Sequence, residues 1–350
     1  CAVQNRKAVE TRPEQSQACT SCGMCCYGCR ASSVYKFSTR LLPKIENRPN
    51  YKILYHLKVI QLVRDTNDNS IKEVVCIDTK TKQQQVLRSK IFILSAGALE
   101  TPRILFNSKD DLYTQGLANS SGLLGTYLQE NVKVLVAASL MKLFGNKEPY
   151  DLGYGDNLLI PRFLYENEEF HGGFQGQFLH NILKRPHYLR SMGFLPPFIK
   201  KQIARSLFYT YAAIAFQGAP SVEKKNRVLP SEEKDDYGIP KVDVFYEWSE
   251  NDIKMQKKMA EIGKLIFRKA SGCFNKTFVD EIPGNSIHYA GTCRMAANEN
   301  HGIVNENLQS FDHKNLYICD GSVFPTLSEK NLTLTIMALA HRLAQHLNLV

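Results

Sequence analysis

Ile91-Phe92-Ile93-Leu94 runs directly into Ser95-Ala96-Gly97-Ala98, and this junction restricts the folds open to the chain more than any other stretch. Four large apolar residues in a row, with no polar alternation, form the pattern of a strand buried on both faces. The small residues after them let the backbone turn sharply and approach a flat ring or a phosphate, which a side chain would block. A helix is expected next, from about Thr101 to Asn107. Strand, small-residue corner and helix together predict an α/β fold.

The flanking sequence supplies more elements. Residues 1–18 are polar and read as a connector. Phe37–Lys44 predicts a short helix stopped near Pro43. Tyr51–Arg64, Ile71–Asp78 and Val86–Ser95 form a meander of three strands, with turn chemistry at Asp65–Ser70. Further on, Val242, Val244, Tyr246 and Trp248 alternate with Asp243, Phe245 and Glu247, the pattern of a strand with one apolar face. Ser249-Glu250-Asn251-Asp252 then opens a helix that carries Met255, Met259, Ile262 and Ile266 as a core stripe and stops at Gly272.

At 350 residues and 43% hydrophobic composition, the chain can bury a sizeable core in two domains. No run of 18 apolar residues is present, so no membrane-spanning helix is expected. No signal peptide opens the chain. Cys1-Ala2-Val3-Gln4-Asn5-Arg6-Lys7 reads like mid-protein sequence, so the compartment is weakly determined. The cytoplasm is the expectation, with the periplasm or a membrane surface as alternatives.

The formal net charge is +10, which favours anionic partners or surfaces. No helix-turn-helix, zinc-finger or RNA-binding signature accompanies the charge, so nucleic acid is not an expected partner. Residues 184–205 interleave Lys184, Arg185, Arg190, Lys200, Lys201 and Arg205 with Phe194, Leu195, Phe198, Ile199 and Ile203. That mixture suits a peripheral membrane or protein contact, or a half-buried helix.

Chemistry concentrates near the C-terminus. His288-Tyr-Ala-Gly-Thr-Cys-Arg-Met, then Asn315-Leu-Tyr-Ile-Cys-Asp-Gly-Ser-Val-Phe-Pro-Thr, then Asn331-Leu-Thr-Leu-Thr occur in that order. A neutral imidazole with a reference pKa near 6.5 accepts a proton at neutral pH without a large shift. An isolated His288 would equally be a satisfied core histidine. Asn331 precedes the apolar run Leu332–Leu347, so it reads as a helix N-cap or as a hydrogen-bonding partner of a ligand. Asp320-Gly321 reads as a plain turn or as a close backbone approach.

The order and spacing of the three blocks resemble the C-terminal signature of the glucose–methanol–choline (GMC) flavoprotein oxidoreductases. Ser95-Ala96-Gly97-Ala98 and Gly122–Asn131 resemble earlier blocks of the same family. The resemblance implies oxidation of a CH–OH group of an alcohol or sugar-like substrate, with FAD as hydride acceptor. His288 is then the catalytic base, and Asn331 beside it holds the substrate oxygen. Cofactor contacts are implied at Val59, Ala96, Gly97, Asp320, Gly321, Leu332 and Thr333. The electron acceptor would be a quinone, a redox protein or oxygen. Four positions depart from the family pattern: Glu130-Asn131 stands in place of Asp-His, Leu332 in place of Pro, and Glu329 in place of Gly.

The resemblance organises the chain into four parts. Residues 1–29 are a connector with a cysteine-rich segment, 30–134 and 286–350 are two parts of an FAD-binding Rossmann-like domain, and 135–285 are an α+β substrate domain interrupting it. A G-x-G-x-x-G turn for the pyrophosphate occurs nowhere in the 350 residues. The sequence therefore reads as the C-terminal two-thirds of a family member, lacking the N-terminal βαβ unit, and the 350 residues alone are expected to bind FAD poorly. The alternatives are a metal-binding electron-transfer module centred on Cys19–Cys29 and an inactive fragment of such an enzyme.

The cluster Cys19-x-x-Cys22-x-x-Cys25-Cys26-x-x-Cys29 is a separate signal. No His follows any C-x-x-C pair, which excludes covalent c-type haem. An iron–sulfur cluster or zinc on Cys19, Cys22, Cys25 and Cys29, a disulfide, or plain thiols remain open, since closely spaced thiolates suit soft metals. Cys76, Cys273, Cys293 and Cys319 stand singly and are expected to be small buried apolar residues.

Overall fold

The structure is a computed structural model that describes residues 3–5, 17–20, 28–140, 157–161, 168–180, 192–207, 210–271, 275–279, 283–284 and 286–348. Two compact units emerge: one from residues 1–53, 132–218 and 250–281, the other from 54–131, 219–249 and 282–350. Among the described residues no helix is long and apolar enough to cross a membrane.

The first unit is built on a six-stranded antiparallel sheet. Its order is Val3–Asn5, Asn157–Ile160, Phe174–His180, Tyr211–Gly218, Val132–Ser139 and Asn275–Val279. Val3–Asn5 is therefore an edge strand, which corrects the connector reading at those residues. Polar side chains suit a strand that pairs along one side only. Val132, Val134 and Val136 are fully buried and alternate with half-buried Lys133 and Leu135, the period-two pattern of a sheet covered on one face.

The covering element is the helix Glu250–Ser271. It presses so close that a Cβ on Gly263 would sit 2.6 Å from Val136 Cγ2. The expected stripe holds at Met255 and Met259, both fully buried, but continues through Gly263 and Phe267. Ile262 and Ile266 are only half-buried. The helix meets the sheet along its i, i+4, i+8 ridge, and Ile262 and Ile266 lie one position off that ridge.

Near Pro43 the expectation also changes. Phe37–Leu41 is a π-helical turn, and Pro43 sits in the first turn of the following helix, Leu42–Ile45. Proline tolerates that position because its missing N–H has no helical partner there. In the 184–205 patch, Lys184, Arg185 and Arg190 lie outside the described residues. The helix Pro197–Leu207 leaves Phe198 exposed, and Phe194 just before it is also exposed.

The second unit begins with the antiparallel meander Leu57–Arg64, Ile71–Asp78 and Gln84–Arg88. Its turns are made locally. Asp65 Oδ1 accepts from Asn67 N, Asp78 Oδ1 accepts from Lys80 N and Thr81 N, and Asn69 and Lys82 take left-handed φ. The third predicted strand divides in two. Gln84–Arg88 completes the meander, while Phe92–Leu94 leaves it to pair in parallel with Leu316–Ile318. Phe92 and Leu94 are buried, but Ile91 is 38% and Ile93 44% exposed. This corrects the expectation of burial on both faces: the pair forms a two-stranded sheet, and only one side of it packs on the core.

The helix after this strand runs Gly97–Asn107, four residues longer at its start than expected, with Pro102 inside it. Proline cannot donate to the carbonyl four residues back, that of Ala98. The buried Thr292 hydroxyl takes over, donating to Ala98 O at 2.7 Å. A residue of the His288 block thus repairs the helix that the proline would otherwise weaken.

The predicted strand at Val242–Trp248 is also shorter than expected. It runs Pro240–Phe245, pairs with Arg227–Lys234, and leaves Val244 and Phe245 exposed. Cys76, Cys293 and Cys319 are buried as expected, while Cys273 lies outside the described residues.

Candidate active site

The parallel strands Phe92–Leu94 and Leu316–Ile318 end side by side, and their exits are locked together by Asp320. Its buried carboxylate accepts from Gly97 N at 2.9 Å and from the Thr101 hydroxyl at 2.6 Å through Oδ2, and from Ser322 N at 2.8 Å through Oδ1. Thr101 Oγ1 in turn accepts from Ala96 N at 3.1 Å. Ala96, Gly97, Asp320 and Gly321 are therefore neighbours, as expected. Gly97 has φ +88° and open space where a Cβ would be, so the backbone at this corner is bare.

Gly321 extends the cluster. A Cβ there would lie 2.9 Å from Leu332 Cδ1 and 2.9 Å from Tyr289 O. The neighbour of His288 and the neighbour of Asn331 thus close on the same glycine.

Leu332, not Asn331, is the N-cap of the helix Thr333–His346, with no side-chain hydrogen bond to the first turn. This corrects the capping alternative for Asn331. The first turn carries no acidic residue, so its N–H groups and the positive end of the helix dipole stay available to an acceptor. Leu334 is 77% and Met337 45% exposed. Val59 is elsewhere in the unit, half-buried in the meander and packed on the core.

His288 is half-buried, and its Nδ1 lies 2.9 Å from Asn131 Oδ1. Asn131 belongs to a polar triplet whose last two members the sequence marked only as a departure from Asp-His, without assigning them to the site. Gln129, Glu130 and Asn131 are all essentially buried. Gln129 accepts from Leu327 N at 2.7 Å and donates to Pro325 O at 3.2 Å. Asn131 Nδ2 donates to Ser328 O at 2.8 Å. Glu130 accepts from Gly284 N at 2.5 Å and Ser286 N at 2.7 Å, fixing the backbone just before His288. The available signal was three consecutive polar residues between Leu128 and the apolar strand Val132–Ser139, since polar groups in such a setting need dedicated partners.

Burial, with a smaller contribution from the nearby Glu130 charge, pushes the Tyr289 hydroxyl pKa up. That hydroxyl donates to Gly284 O at 2.8 Å. Burial, with a smaller contribution from the nearby Asp320 charge, drives the Cys293 thiol upward so strongly that it is no thiolate candidate.

Of the cysteine cluster, Cys22 and Cys25 lie outside the described residues. Cys29 Sγ is 3.2 Å from Ser33 Oγ, and that bond is the main reason its pKa is lowered. Among the described residues no three His, Cys, Asp or Glu side chains converge as metal ligands.

Comparison with known proteins agrees with this geometry. Residues 3–129 match the N-terminal and residues 222–340 the C-terminal family profile described as GMC oxidoreductase. The chain is 30% identical over 303 residues to 2-methyl-1,2-propanediol dehydrogenase of Mycolicibacterium austroafricanum, covering 84% of this chain and 53% of that protein. It is 23% identical to paromamine 6'-oxidase of Streptomyces fradiae, covering 95% and 58%. A variant of Aspergillus oryzae RIB40 formate oxidase, solved to study FAD modification, superposes with a TM-score of 0.61 at 16% identity, covering 86% of this chain and 61% of the other.

The chain belongs to the GMC oxidoreductases and has their mixed α/β fold. It spans a little over half the length of these two curated relatives.

Proposed function

We propose that the protein is an FAD-dependent oxidoreductase that removes hydrogen from a CH–OH group of a small alcohol or sugar-like substrate, with His288 as the base. The observation that carries this reading is the held imidazole of His288, one residue from the point where Tyr289 and Leu332 close on Gly321. The named substrates of the two relatives, 2-methyl-1,2-propanediol and paromamine, support a small hydroxylated substrate.

The residues fit the ring end of FAD. The bare backbone at Gly97 admits a flat ring, and the exposed Leu334 and Met337 offer apolar cover. The uncapped N–H groups from Leu332 and Thr333 onward present donors and a positive dipole end to negative charge. When bound, FAD supplies the hydride acceptor.

The chain's own part is to take the hydroxyl proton on His288, to hold the substrate oxygen with Asn331, and to keep both in register through the Asp320 lock. Val59 is assigned a backbone contact to the adenine end. Electrons leave to a quinone, a redox protein or oxygen.

His288→Gln in the FAD-loaded protein tests the base. Flavin reduction by substrate, followed anaerobically by stopped flow, should slow at least about 100-fold, the scale of losing a general base, with flavin content unchanged. Unaltered reduction kinetics would remove His288 from the mechanism.

A further inference from the structure

Asn131 stands where the family pattern has histidine, and its Oδ1 lies 2.9 Å from His288 Nδ1. Its orientation is fixed by chemistry rather than by distance alone. Ser328 O is a carbonyl and only accepts, so the Asn131 group 2.8 Å from it must be the NH2. The other end of the amide, Oδ1, therefore faces His288 Nδ1 at 2.9 Å and only accepts. A neutral imidazole carries one N–H, and an acceptor at Nδ1 requires that it be there.

We infer that Asn131 is a positioning residue that fixes His288 as the Nδ1–H tautomer, leaving Nε2 as the proton acceptor. The inference deepens the proposed function, because it names which nitrogen of the assigned base takes the substrate proton.

The surroundings make Asn131 hard to displace. It is fully buried. Gln129 and Glu130 tie the same short segment to the loops 325–328 and 284–286. The ring is thus gripped from two directions, at its backbone through Glu130 and Ser286 and at Nδ1 through Asn131. A neutral amide, unlike a carboxylate, holds the tautomer without placing a negative charge beside the ring, so it does not favour the imidazolium before substrate arrives.

The test reads the tautomer directly, without activity. The protein labelled with 15N-histidine is studied by long-range 1H–15N correlation at a pH where imidazole is neutral, and His288 is assigned by difference from His288→Gln. In the wild type, the nitrogen correlated with both ring carbon protons, Nε2, should resonate in the unprotonated range. Asn131→Leu removes the acceptor and should move that signal toward the protonated range as the tautomers mix. Asn131→Asp keeps an acceptor and should restore the wild-type pattern.

A protonated Nε2 in the wild type would overturn the inference, as would an unchanged Nε2 signal in Asn131→Leu. If Asn131→Leu fails to fold, Asn131→Asp decides, read at a pH above the imidazolium range that its added charge extends, since a neutral ring protonated at Nε2 there contradicts the acceptor role. FAD-loaded protein that oxidises no alcohol, yet shows the bare Nε2, would refute the proposed activity and leave the tautomer assignment standing.

Discussion

Replacing Asp320 by Asn changes one atom of the lock that joins the two parallel strand ends. The carboxylate has three donors to satisfy, Gly97 N and the Thr101 hydroxyl on Oδ2 and Ser322 N on Oδ1. An amide has one acceptor oxygen. If its NH2 faces Ser322, two N–H groups oppose each other. If it faces Gly97 and Thr101, the hydroxyl can turn, but the Gly97 N–H is still opposed.

Either way one backbone donor is orphaned, that of fully buried Ser322 or half-buried Gly97, which costs about 1–3 kcal/mol. The surviving bonds lose their charge assistance, worth roughly half of each. The sum is about 2–6 kcal/mol. Urea denaturation should show a lower midpoint at an unchanged m value. A loss below about 1 kcal/mol, within the range of an ordinary surface change, would mean that Asp320 does not hold these strands.

Two further outcomes follow from the same unit. Gly291→Ala should cost about 2–5 kcal/mol, adding left-handed strain to overpacking, because the new Cβ would sit 2.1 Å from Tyr127 O at φ +97°. Gly238→Ala, with φ +75° and open space, should cost only the strain, about 1–2 kcal/mol, and equal losses in the two variants on chemical denaturation would contradict the contact. His313 is fully buried, donates from Nδ1 to Asn69 O and accepts from Ala118 N at Nε2, and burial pushes its pKa down. Its folded form resists the proton that the unfolded chain binds below about pH 6.5. Stability should therefore be independent of this group above that pH and fall as pH drops from there toward the folded value, by at most about 1.4 kcal/mol per unit. His313→Gln should flatten this part of a pH series of denaturation midpoints, and identical slopes would refute the assignment.

The sequence made the small-residue corners at the two strand ends legible because their signal is local. Ala96-Gly97 and Asp320-Gly321 are small residues at strand ends, and the hydrogen bond from Gly97 N to Asp320 joins them as the block order implied. The meander was legible through its turns, where Asp65 and Asp78 bond their own following backbone. Partnerships over long sequence separation were not. Asn131 lies 157 positions from His288, and no periodicity links them. Thr292 compensates Pro102 by a contact that neither residue announces. The burial of Phe92–Leu94 was read from its run of apolar residues, but packing on each face depends on what covers it, so Ile91 and Ile93 emerged exposed. For the capping of the last helix the sequence pointed one residue too early, since Asn331 favours caps by type while the backbone places Leu332 there.

The most direct test of the account is a single titration. The protein, expressed together with an N-terminal βαβ unit that carries a G-x-G-x-x-G turn for the pyrophosphate, is incubated with FAD, freed of unbound cofactor, and mixed anaerobically with vicinal diols and sugar alcohols while the flavin absorbance is followed. The account predicts retained flavin that bleaches on adding a hydroxylated substrate, with a slower rate when the carbinol hydrogen is replaced by deuterium. Retained flavin that no alcohol reduces, in a folded protein with His288 intact, would contradict it.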